Sequence, residues 1–431
     1  MRKKVIILGA GLAGLSAAWH LQRRNVDCLV FEKEPEVGGL CRSKTKNGFT
    51  FDYDGHLLHF KHHYALELVK DLLKDNLAEH KRSAWIYSYG RFTRYPFQAN
   101  LYGLPPEIVK ECLSGFAQLK NNGYAERNGN FLHWIQAAFG KGIARYFMVP
   151  YNKKFWTVSP KELTCDWLDG IIPVPTLNQI IEGTIEESKR QFGYNARFWY
   201  PKKGGINQLP QALAGQIKNV YTNRSVEEID LSRKEIKLSS GEKEKFDYLV
   251  STIPLPEFPD LIEGLPSHIS SEFKNLRWNS IFNLNIGAEM ENDTGWHWIY
   301  FPQREPCFFR VGFPRNFSTD LVPTGKKSLY VEVSYSRRRP INKKEITADI
   351  MRDLKKIRIL SDGETVCEQD INDIRYGYPI YDCNYRSARQ KIINFLLMHN
   401  IVSCGRYGGW RYMSMEDVIL EGKEIAEKFA P

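Results

Sequence analysis

The chain has 431 residues, 42% of them hydrophobic and 26% charged, and a formal net charge of +10. That balance excludes a disordered chain, and the length exceeds what one hydrophobic core usually organises, so two or three domains are expected. The positive charge suits an anionic partner, but no recognisable nucleic-acid module is present.

The eight cysteines show no C-x-x-C pair and no metal-ligand spacing, which reads as reduced, mostly buried thiols in a cytoplasmic protein. The basic start followed by Val5–Leu8 imitates a secretory leader, yet Gly9, Gly11 and Gly14 interrupt the apolar run. No apolar stretch approaches the roughly 18 residues of a membrane-spanning helix.

Val5–Leu8 reads as a strand buried on both faces, and residues 15–24 read as a helix. Between them Gly9, Gly11 and Gly14 allow a tight turn, close approach of a pyrophosphate and close packing of helix on strand. The helix N-terminus offers unpaired N–H groups to phosphate oxygens. A second strand, Cys28–Phe31, delivers Glu32 to where a carboxylate reaches ribose hydroxyls. The unit predicts dinucleotide binding. Gly38-Gly39-Leu40-Cys41-Arg42-Ser43 follows, a GG-x-x-R-S segment that resembles the second FAD-contacting turn of the amine oxidase and protoporphyrinogen oxidase superfamily. That resemblance implies FAD in place of NAD, held by Gly9, Gly11, Leu12, Ala13, Gly14, Glu32, Lys33, Gly39, Leu40 and Arg42.

Residues 64–200 read as mainly helical and rich in aromatics. Residues 218–250 read as strands with a turn at Ser239-Ser240-Gly241, and by resemblance they return the chain to the FAD domain with Val226 near the adenine. From 282 to 374, stretches such as LYVEVSYS alternate, placing Leu329, Val331, Val333 and Tyr335 on one strand face. The end reads as a strand, a glycine turn and a terminal helix from about Ser414, whose N-terminus is expected to face the flavin. The expected fold class is α/β: a Rossmann-type FAD-binding domain assembled from 1–63, 201–281 and 395–431, a helical insertion at 64–200, and an antiparallel substrate-side sheet at 282–394.

Segments along the whole chain resemble UDP-galactopyranose mutases, especially the eukaryotic-type branch. They include FDYDGHLLHF around His56, RYPFQANLYGLP from Arg94, YNKKFWTVSPKELTCDWL around Trp156 and GYNARFWYPKKGG around Asn195. WIYFPQREPCFFR up to Arg310, YGYP around Tyr378 and GRYGGWRY from Gly405 continue the pattern. In that family, reduced flavin acts as nucleophile at the anomeric carbon of a nucleotide-diphosphate sugar and the ring recloses as a furanose. NAD(P)H or another reductant would supply the electrons. The resemblance implies a diphosphate clamp of Arg310, Tyr300, Tyr378 and Tyr412, nucleotide-side contacts from Trp156 and Asn195, and a flavin environment formed by Gly55, His56, Gly405, Arg406, Tyr412, Met413 and Ser414. His56, Arg310 and Arg406 take the catalytic positions.

The chemistry supports such a clamp. A departing diphosphate needs positive charge and donors that stay bonded to it, and a guanidinium offers paired donors where tyrosines add donors without charge. One departure stands out: Ile171 occupies a position where eukaryotic-type mutases carry a second arginine. Either the sugar nucleotide differs or another residue substitutes. A flavin oxidase or desaturase taking hydride from its substrate is the rival reading. The histidines at 56, 59, 62 and 63 lack acidic or cysteine companions at ligand spacing, so no metal is expected. The oligomeric state is left open.

Overall fold

The computed structural model describes residues 3–119, 129–168, 171–187, 190, 192–193, 196–290 and 294–429. Five parallel strands form one sheet in the order Ile401–Ser403, Tyr248–Ser251, Val5–Leu8, Cys28–Phe31, Val220–Tyr221. Val5–Leu8 is central and fully buried, so it carries an unbroken apolar run where a half-exposed strand would alternate. The helix Leu12–Arg23 crosses over to the next strand and packs against the terminal helix Met415–Phe429. The helix begins earlier than residue 15 because Gly11 serves as its N-cap and Gly14 is tolerated in its first turn.

The second large sheet has seven strands in the order Val366–Pro379, Trp278–Glu289, Lys326–Tyr335, Arg310–Gly312, Trp298–Tyr300, Ala84–Ser88, Arg91–Arg94. Its pairs are antiparallel except Trp298–Tyr300 with Ala84–Ser88, which run parallel. Leu329, Val331 and Val333 share one face and pack with Ile350 and Leu354 of the helix Ile346–Lys356, as the alternation predicts. The opposite face therefore presents Tyr330 and Glu332 toward the first sheet.

The stretch expected to be mainly helical supplies the helices His63–Leu73, Pro106–Ala117, Phe131–Ile143, Val149–Trp156 and Leu177–Ile185. It also supplies Leu77–Lys81, Ala84–Ser88, Arg91–Arg94 and Arg197–Pro201 as strands, a departure from that expectation. In Ala84–Ser88 every second residue is buried, a period-two signal hidden by the aromatic content of the surroundings. Among the described residues, no helix is long and apolar enough to cross a membrane.

Candidate active site

The glycine turn after the first strand is built by steric necessity. Gly9 sits at φ 95°, and a Cβ on Gly14 would lie 2.0 Å from the Gly9 carbonyl oxygen. The second turn docks on the first: the Gly38 amide donates to Ala10 O at 2.8 Å, and a Cβ on Gly39 would lie 3.2 Å from Gly11 Cα. Glu32, 6% exposed, accepts from the amides of Ala10 at 2.7 Å and Glu34 at 3.0 Å. The carboxylate thus ends the second strand while fastening the first turn. Lys33 beside it is exposed. Leu12 and Ala13 open a helix with no side-chain cap and no acidic residue in its first turn, leaving its dipole end free for an anion.

Arg42 donates to Gly39 O at 2.7 Å and lies over the Tyr53 ring, so the second turn is held by its own arginine. Leu40 packs against Ile281, Phe309 and Ile374, the same small core that receives Tyr53, Tyr151, Phe155 and Tyr378, which brings this turn to the aromatic cluster described below. A Cβ on Gly55 would strike the Tyr330 ring at 2.6 Å, and the adjacent His56 Nδ1 lies 3.0 Å from Asp54 O. Behind them desolvation pushes the half-buried Asp52 carboxyl up, while bonds from Tyr200 Oη at 2.6 Å, Ser43 Oγ at 2.7 Å and the Ile206 amide at 3.1 Å oppose the shift. Burial likewise pushes the Cys41 thiol up to about 12, so it stays protonated. Val226 opens a strand two residues after Arg224, whose amide donates to Glu32 O at 2.8 Å.

The C-terminal turn closes on the same groove. Gly405, at φ 74°, approaches Ala13 so nearly that a Cβ would lie 2.7 Å from the alanine's own. Met413 is buried in the core shared with the first helix. The Ser414 amide and hydroxyl both donate to Asp417, at 2.7 and 2.8 Å, so the terminal helix caps itself and these groups are already engaged.

Across the seven-stranded sheet, Tyr300, Arg310 and Glu332 are direct cross-strand partners. Glu332 is 0% exposed and receives both Nε and Nη2 of Arg310, the latter at 2.7 Å. Burial pushes the Glu332 carboxyl up to about 8 despite the pull of Arg310. Burial works against the Arg310 charge too, but Glu332 and Tyr330 outweigh it and keep the guanidinium protonated. Arg406 lies over the rings of Tyr378 at 4.6 Å and Tyr412 at 5.1 Å, and its buried Nε has no protein partner among the described residues. Tyr378 and Tyr412 stack at 5.9 Å. Tyr378 feels both arginines, although burial dominates and raises its phenol. The Tyr412 amide donates to Tyr381 Oη at 2.5 Å. Trp156, 1% exposed, forms a wall behind Tyr378 at 5.9 Å. Asn195 lies outside the described residues.

A family model for flavin-containing amine oxidoreductases matches residues 12–428. The chain belongs to this family. A crystal structure of reduced UDP-galactopyranose mutase superposes with a TM-score of 0.92 at 29% identity, over 99% of this chain and 95% of that one. A putative protoporphyrinogen oxidase from Exiguobacterium shares the fold at TM-score 0.78 and 16% identity, over 100% and 99% of the two chains. Among curated sequences, an L-amino-acid oxidase of Crotalus adamanteus is 29% identical over 54% of this chain and 46% of its own length. A 4,4'-diaponeurosporene oxygenase of Staphylococcus haemolyticus is 24% identical over 61% and 57%. The chain spans about half the length of these curated relatives. It is thus a flavin-dependent member of the amine oxidase superfamily with the architecture of UDP-galactopyranose mutase, and FAD is its cofactor. The apposed glycine turns, the free helix end and the unpartnered Arg406 Nε fit that group.

Sequence reasoning passed over several residues that the fold brings to the site. Glu332 alternates with Leu329, Val331 and Val333, so the same period-two pattern that found the core face marks it on the other. Tyr95 and Tyr151 stand 5.2 and 5.6 Å from Tyr300, and Arg82 lies buried with its guanidinium over Tyr95 at 4.8 Å. No local pattern announces these contacts. Of the histidine run, His59 turns away to Arg197 O at 3.1 Å.

Proposed function

We propose that this flavoenzyme interconverts pyranose and furanose forms of a nucleotide-diphosphate sugar. The observation that carries the reading is the Tyr300–Arg310–Glu332 row and Arg406 on either side of Tyr378, which feels both arginines: two guanidiniums that stay charged, lined with phenols. Arg310, immobilised by Glu332, would hold the diphosphate before and after it separates from the sugar. Tyr300, Tyr378 and Tyr412 would donate to its oxygens, and Trp156 and Asn195 would stand on the nucleotide side. Gly9, Gly11, Leu12, Ala13, Gly14, Glu32, Lys33, Gly39, Leu40, Arg42, Gly55, Val226, Gly405, Met413 and Ser414 would hold FAD, with His56 and Arg406 beside its ring. Held by these residues and reduced, FAD would supply the nucleophilic electron pair for the anomeric carbon. Arg82 is a candidate for the cation that Ile171 does not provide.

The names of the curated relatives favour a second reading, an oxidoreductase taking hydride from its substrate onto FAD. The flavin's redox state separates the two. Chemically reduced protein, kept anaerobic with UDP-, dTDP- and GDP-hexoses, is expected to yield furanose products by chromatography over many turnovers without consuming reductant. Stoichiometric hydrogen peroxide from another substrate, with no isomerisation of any sugar nucleotide, would establish the oxidase.

A further inference from the structure

The helix Val149–Trp156 turns Tyr151 and Phe155 toward the anion site, at 5.6 Å from Tyr300 and 4.5 Å from Tyr378. Lys154, between them, is 4% exposed and donates to three carbonyls: Phe301 at 3.0 Å, Pro306 at 2.7 Å and Phe308 at 2.9 Å. All three lie in the loop that leaves the sheet directly after Tyr300 and returns directly before Arg310. The loop is also tied by the Cys307 amide, which donates to Asp353 Oδ2 at 2.8 Å, and at its ends by backbone bonds from Phe301 N to Phe309 O at 2.9 Å and from Phe309 N to Glu332 O at 3.0 Å.

We propose that Lys154 is a positioning residue for the anion site: its ammonium fastens the loop between Tyr300 and Arg310 so that both side chains stand opposite the sugar-nucleotide diphosphate. This rests on the reading that the arginine and tyrosine cluster binds that diphosphate. An ammonium has three protons for three carbonyls. A neutral amine has two, and its lone pair would face the third oxygen, so loss of charge breaks one bond and loosens the loop. Burial lowers Lys154 to about 7, with Cys307 and Asp353 raising it and Arg339 lowering it further, so the charge is lost close to neutrality.

The test compares UDP-galactose affinity across neutral pH, beside FAD content, between wild-type protein and Lys154→Met. The diphosphate diester does not titrate there and Glu332, raised to about 8, is common to both, so the difference between the profiles reports Lys154. Wild-type affinity is expected to fall about tenfold as pH rises one unit above the Lys154 transition, with FAD retained. Lys154→Met should bind weakly at every pH and lose the part of that dependence Lys154 contributes, keeping only what Glu332 adds near pH 8. In protein labelled with 13C at lysine Cε, one resonance should titrate near neutrality. Affinity independent of pH, together with no such resonance, overturns the proposal, and so does wild-type binding by Lys154→Met. If that variant does not fold, the wild-type profile and resonance decide. If Arg310→Ala abolishes binding and Lys154→Met does not, the positioning role alone falls. If Arg310→Ala leaves affinity unchanged, or wild-type protein binds no UDP-, dTDP- or GDP-hexose, the diphosphate reading falls with it.

Discussion

The cofactor groove and the proposed anion site are built on opposite plans. The groove is made largely of backbone: two glycine turns within residues 9–39 touch each other, and Glu32 is spent on the amides of Ala10 and Glu34. The anion site is made of large side chains from segments far apart in sequence, and its key cation depends on a buried carboxylate 22 residues away. A site of the first kind fails when atoms are added. A site of the second kind fails when a partner is removed.

Three measurements sharpen that contrast. The largest effect is expected from Glu332→Ala, which leaves the Arg310 guanidinium buried without its carboxylate. Unpaired burial of this kind costs about 3–5 kcal/mol, read as a lower denaturant midpoint, and UDP-galactose affinity should drop with it. Gly14→Ala comes next. Its methyl would collide with the Gly9 carbonyl, and overpacking of this order costs about 3 kcal/mol, expected as protein purified without the yellow of bound FAD. Were Gly14→Ala to keep its flavin while Glu332→Ala lost it, the division of labour between the two regions would be wrong.

Acid should attack the packing of His59, His80 and His297 around Phe198. His80 and His297 pack edge to face at 5.8 Å around Phe198, and the Ser83 amide donates to His297 Nδ1 at 2.9 Å, so this ring must stay neutral there. Burial lowers His59 and His297 to about 4, and lowers His80 as well. The unfolded chain then binds more protons than the fold between the ordinary histidine value and about 4, so stability rises with pH across that window and is lost as pH falls through it. Each histidine held near 4 contributes up to about 3 kcal/mol of that loss. Denaturation midpoints between neutrality and pH 4 measure it, and His297→Gln should flatten the slope.

Legibility in the sequence followed the same division. The strands Val5–Leu8 and Cys28–Phe31, the intervening helix and Glu32 were readable because each signal lies within a few residues of the structure it specifies. Leu77–Lys81 was not, because its partner lies in another segment, Leu77 meeting Pro201, whereas Ala84–Ser88 and Arg91–Arg94 form a local hairpin whose period-two signal the surrounding aromatics hid. Arg310 was singled out by family resemblance alone. That it stands between Tyr300 and Glu332, with Lys154 holding the loop behind it, depends on the register of three strands.

The sequence by itself determined the dinucleotide turn, since positive φ and the absence of a Cβ are properties of single residues that only glycine combines freely. It also determined which face of Lys326–Tyr335 is core, since alternation is local. Only the tertiary structure decided which carboxylate pairs with Arg310, which rings surround Arg406 and which carbonyls receive Lys154. Those choices rest on contacts between segments far apart in the chain, and a contact of that kind leaves no mark in either segment taken alone.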